Sequence, residues 1–105
     1  MDNLILRIKV KGLPSDMFEF EFSEFKLDFL KNIGESWIYS LYEKPVDKFI
    51  PYLEKLSNHL NNLTKREIRL ITADELEELR NIIDNMTYFS KSLINNGRTN
   101  LIWTD

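Results

Sequence analysis

Cysteine is absent from the 105 residues, histidine occurs once, and glycine and proline occur three times each. The first absence excludes a disulfide frame, a cysteine nucleophile and an iron–sulfur cluster. With a lone His59 it also excludes a zinc site of the usual Cys/His kind. Gly12, Gly34 and Gly97 stand isolated, so there is neither a phosphate-binding loop nor a dinucleotide fingerprint. A Ser–His–acid triad would need Ser57 or Ser90 without the glycines of a nucleophile elbow. No apolar run approaches the roughly 18 residues a membrane helix needs. Residues 1–7 lack the basic n-region and longer apolar stretch of a signal peptide, and a cytoplasmic protein is expected. Excess positive charge is missing too. The net charge is −3 and the pI about 5.2, whereas nucleic-acid binders carry a basic stripe. Direct nucleic-acid binding is therefore not expected.

What is present is enough for a core. Apolar residues make up 43% of the chain, including 7 Phe, 4 Tyr and 2 Trp, a content at odds with disorder. Surface scaling gives roughly 6,200 Å² folded against roughly 18,000 Å² unfolded, so about two-thirds is buried. One domain spanning 1–105 can fold without staples. Leu (15) and Ile (11) far outnumber Val (2) and Ala (1), and Asn (10) and Lys (9) outnumber Arg (5). By association, that is the profile of AT-rich genes in low-GC bacteria, phages and mobile islands.

Leu4, Leu6, Ile8 and Val10 alternate with Ile5, Arg7 and Lys9, and Phe18, Phe20 and Phe22 alternate with Glu19 and Glu21. Such period-2 patterns predict two strands. The intervening Gly12-Leu13-Pro14-Ser15-Asp16 predicts a hairpin loop. Folding about Pro14 pairs Val10 with Phe18, Ile8 with Phe20 and Leu6 with Phe22. Lys9 then faces Glu19, and Arg7 faces Glu21. Residues 24–33 read either as a strand past a bulge or as a helix capped by Ser23. In the helix, Phe25, Phe29, Leu30 and Ile33 form the apolar arc, and Gly34 lies past its end. The end signals favour the helix.

Ser36 to Tyr42 is aromatic and branched enough for a third strand. Val46, Phe49, Leu53, Leu56, Leu60 and Leu63 step by three and four, predicting a helix over 46–63 with Pro51 in its first turn or at a kink. Residues 67–71 read as a short strand. Thr72 and Glu75 form a capping box that opens a helix over 73–95, and residues 100–104 read as a last strand. The expected fold class is α+β or α/β. A small mixed sheet, beginning with the hairpin, would pack against two main helices and a short third one.

Charge is distributed unevenly. Residues 16–35 sum to −4 and residues 74–84 again to −4. Helix capping explains much of the second cluster, since acids complement the N-terminal dipole by about 0.3–1 kcal/mol each. Glu19 and Glu21 are explained by the cations expected opposite them. Among the remaining acids, Asp74, Glu77, Glu78 and Asp84 with Glu24 and Asp28 are the expected partner-binding residues, able to steer a basic protein. His59 borders the apolar stripe of its helix and is expected to be structural. No catalytic, cofactor-binding or metal-binding residue is assigned, and no cofactor is expected. Small size, acidic segments and composition together suggest a non-enzymatic protein-binding domain. Within that class, the expectation is an inhibitor or immunity-type protein that neutralises a basic bacterial toxin such as a nuclease. The alternative is a phage- or island-encoded regulator, adaptor or nucleic-acid mimic acting through protein contact. A small carboxylate- and metal-dependent enzyme comes third. Monomer and dimer are equally compatible with the sequence.

Overall fold

A computed structural model describes residues 4–10, 13–40, 46–95 and 101–104. The elements in order are β1 (Leu4–Val10), β2 (Leu13–Phe22), α1 (Glu24–Asn32), a 3-10 turn (Ser36–Ser40), α2 (Val46–Asn61), α3 (Lys65–Ile68), α4 (Ala73–Asn95) and β3 (Leu101–Thr104). The expected α+β class is corrected: the protein is predominantly helical, not a mixed sheet packed against helices. In the helical body that begins at Phe20, only the end of β2 is strand. Neither expected inner strand is found: residues 69–71 form a turn, and residues 41–42 of the other lie outside the described residues. Ser36–Ser40 is a 3-10 turn, and Glu67 and Ile68 belong to α3.

At the chain ends, β1 pairs antiparallel with both β2 and β3, giving the order β2-β1-β3. The hairpin register differs by two residues from the expected one. Leu4 lies opposite Phe22, Leu6 opposite Phe20, Ile8 opposite Phe18 and Arg7 opposite Glu19. Lys9 meets Met17 rather than Glu19. A slip of two preserves which residues share a face, whereas a slip of one would reverse it. An irregularity between Lys9 and Val10 brings Val10 opposite Leu13. It lengthens β2 into the segment expected to be loop.

The helix reading of residues 24–33 is the correct one. Ser23 is the N-cap, its hydroxyl accepting from the Lys26 N–H at 3.3 Å. At the other end Gly34 adopts φ +81°, a conformation open to glycine at little cost. Its N–H donates to the Lys31 carbonyl, and the Glu35 N–H donates to Leu30 at 2.7 Å. This is the Schellman arrangement, and it fixes where the chain carries Glu35. The apolar arc is rotated from the expected one: Leu27, Phe29, Leu30 and Ile33 are buried, while Phe25 is 74% exposed.

In α2, Pro51 sits in the second turn rather than the first. Its missing N–H leaves the Asp47 carbonyl without the usual helical donor. Leu53, Leu56 and Leu60 of α2 and Leu76, Leu79, Ile83 and Met86 of α4 are buried, joined by Phe22, Ile38 and the buried face of α1. The core is thus a helix–helix interface roofed by α1. Within it the Ser90 hydroxyl is buried with no hydrogen-bond partner among the described residues. An unsatisfied buried hydroxyl costs about 1–3 kcal/mol. Ser90→Ala is accordingly expected to raise the unfolding free energy by about 1 kcal/mol, measurable by urea titration.

Candidate functional site

Two places on the helical body combine exposed apolar groups with organised charge. The first lies between α1 and the α3–α4 turn. Lys26, on α1, is 6% exposed, and its Nζ donates to Glu75 and Glu78 of α4 at 2.9 Å each. Burial opposes the lysine charge, but the two carboxylates outweigh it and hold its pKa above 10.5. This cation fastens α1 to the start of α4. Beside it, Phe25, Asp28, Phe29, Asn32, Leu70, Ile71, Thr72 and Glu75 line a groove of about 310 Å³. Phe25 (74%), Ile68 (51%) and Leu70 (45%) are among the most exposed large apolar residues described. The lining includes two acids and no cation.

The second place is centred on His59. Its Nδ1 lies 3.0 Å from Glu35 Oε1 and its Nε2 3.0 Å from Glu67 Oε2. Trp37 Nε1 donates to the other Glu35 oxygen at 2.6 Å, and the Trp37 ring packs 5.6 Å from that of Tyr52. Glu67 also closes a capping box, accepting from the Thr64 N–H while the Thr64 hydroxyl accepts from the Glu67 N–H. His59 is thus not merely a helix-edge residue. Both its ring nitrogens face carboxylates and neither faces a hydroxyl. The sequence did contain a signal here, because Thr64-Lys65-Arg66-Glu67 has the same T-x-x-E spacing as Thr72-Ala73-Asp74-Glu75. At the latter site only half the box forms. The Thr72 hydroxyl accepts from Glu75 N–H at 3.2 Å, while the Glu75 carboxylate is drawn to Lys26.

The acids expected to bind a partner do not form one surface. Asp28 lines the apolar groove, with Glu24 one turn before it on α1. Glu78 is paired with Lys26, and Asp74 and Glu77 are exposed in the first turns of α4. Asp84, roughly 15 Å further along the helix from Asp74, accepts from Ser57 at 3.2 Å. It lines a separate polar groove with Glu54, Asn58, Thr87, Tyr88 and Lys91. There Lys91 is bonded to Glu54 at 2.9 Å. Among the described residues, no three His, Asp or Glu side chains are placed to hold a metal ion. No described helix is long and apolar enough to cross a membrane.

No known family, curated protein or solved structure matches the chain. The toxin-inhibitor and immunity reading loses its premise here. No relative supports it, and two carboxylates of the second acidic segment, Glu75 and Glu78, are paired with Lys26.

Proposed function

We propose that this chain is a non-enzymatic, cytoplasmic protein-binding domain that docks its partner in the groove between α1 and the α3–α4 turn. The observation that carries the reading is the exposure of Phe25, Ile68 and Leu70 around a concave, acid-lined surface. Clustered apolar exposure of this kind marks binding surfaces, whereas singly scattered residues do not. The occupant is an amphipathic segment of a protein, apolar on the side facing Phe25 and Leu70 and basic at its margin. Asp28 favours such charge, while Glu75 is already paired with Lys26.

A defined probe tests this. A synthetic amphipathic Leu/Lys helix is titrated against the protein, with its Leu/Glu counterpart as control. The Leu/Lys peptide is expected to bind more tightly. Phe25→Ser and Leu70→Ser should each weaken it about tenfold, equivalent to about 1.4 kcal/mol, without changing the melting curve. Tyr88→Ser removes a 76% exposed aromatic at the other groove and should have no effect. Binding that ignores Phe25 and Leu70, or that prefers the acidic peptide, defeats the reading. Sedimentation at high protein concentration separately reports whether a second copy of the chain fills the groove instead.

A further inference from the structure

A neutral imidazole has one N–H and one lone pair. At His59 both nitrogens lie 3.0 Å from carboxylate oxygens, which can only accept. A lone pair aimed at either carboxylate would be repelled, so the pair of contacts favours the doubly protonated ring. The charged groups around it come from every neighbouring element. Glu35 arrives from the turn after α1, fixed by Trp37, and Glu67 arrives from α3, fixed by Thr64. Arg80 of α4 directs its guanidinium to the Leu60 carbonyl, at 2.7 and 3.3 Å. The ring is raised above its ordinary pKa of 6.5, first by the hydrogen bond with Glu35, against the cost of burial, and then by Glu67.

The short helix α3 has little else to hold it. None of its four residues is buried, so its capping box orders it internally without attaching it to the core. Yet it determines one wall of the groove. The Glu67 carbonyl accepts the Leu70 N–H, and the Thr64 carbonyl accepts the Ile68 N–H, each at 3.0 Å. Glu67 therefore grips His59 with its side chain and Leu70 with its backbone.

We propose that His59 is a proton-dependent latch that seats α3 against α2 and thereby shapes the Leu70–Ile71 wall of the groove. The latch stands on the geometry of His59, Glu35 and Glu67. Only its consequence for ligands rests on the docking reading above. Because the folded-state pKa of His59 is raised, its contribution is fully present below 6.5 and is lost as pH rises through the folded value. Glu67 is lowered from 4.5, first by the Thr64 backbone hydrogen bond and then by His59. Its contribution is present above 4.5 and fades as pH falls through the folded value. The latch is therefore tightest between those limits and opens on the alkaline side.

The test follows the His59 ring and the Leu70 and Ile71 amides by NMR between pH 5 and pH 9, with no ligand present. His59 is expected to titrate above 6.5, with both amides shifting at the same midpoint and losing protection several-fold as the ring deprotonates. Glu67→Gln keeps a side chain able to complete the capping box but removes the charge. It should lower the His59 midpoint while leaving α3 helical. Amides that ignore the His59 titration, or a midpoint at or below 6.5, overturn the latch. The Leu/Lys peptide is then titrated at pH 6 and pH 8.5, where affinity should fall at the higher pH in the wild type. In His59→Gln the affinity should be equal at the two values. Since the amides report without ligand, a failed latch and a failed docking site are told apart.

Discussion

Phe22→Ala is expected to lower the unfolding free energy by about 3–5 kcal/mol, the range for deleting a buried aromatic ring. Phe22 has no exposed surface, and it lies among the buried residues of α1, α2 and α4 while terminating β2. Its removal leaves a cavity where the strand enters the helical body. Phe20, two residues earlier on the same face, is only partly buried and should cost less. Phe25, three residues on, should cost under about 0.5 kcal/mol, as surface substitutions do. Guanidinium melts of the three alanine variants give the ranking. A Phe25→Ala loss equal to that of Phe22→Ala would mean that α1 is rotated from the orientation described.

Leu56→Ala is expected to cost about 2–5 kcal/mol, depending on how far the site can collapse. Leu56 is fully buried on the face of α2 that meets α4, and Leu53 and Leu60 flank it one turn away on each side. Those neighbours limit relaxation, which places the expectation toward the upper part of the range. Lys55→Ala, adjacent in sequence but exposed, should stay within about 0.5 kcal/mol. Equal losses at the two positions would put the helix face in error by a full residue step.

Much of the helical body is legible because helix signals are local. Leu53, Leu56 and Leu60 reveal their shared face by spacing alone, and the long helix over 73–95 follows from Leu76, Leu79, Ile83 and Met86. Ser23 and Gly34 mark the two ends of α1 through their own backbone chemistry. The failures have an equally physical origin. Trp37, Ile38 and Tyr39 have high strand propensity, but propensity there expresses packing on a pleated surface. Ser36–Ser40 pairs with no described strand, and Ile38 is buried in a helical core instead. The strand expected over 67–71 fails for a related reason, five residues being too few for periodicity to separate strand from helix. The T-x-x-E spacing of Thr64 and Glu67 is the local signal for a helix there.

The candidate sites divide along the same line. Acidic segments are visible as composition, and Asp28 does line the groove, but charge counting cannot show which acids are already engaged. Lys26 lies 49 residues from Glu75 and 52 from Glu78. His59 lies 24 residues from Glu35 and 8 from Glu67 across a reversal of the chain. The sequence by itself determined the absence of cysteine chemistry, the two long helices and the caps of α1, because composition, spacing and local backbone chemistry encode these. Only the tertiary structure decided the helical class, the exposure of Phe25 and the pairing of Lys26 and His59. Those depend on which elements approach one another, and buried charge finds its partners through space rather than along the chain.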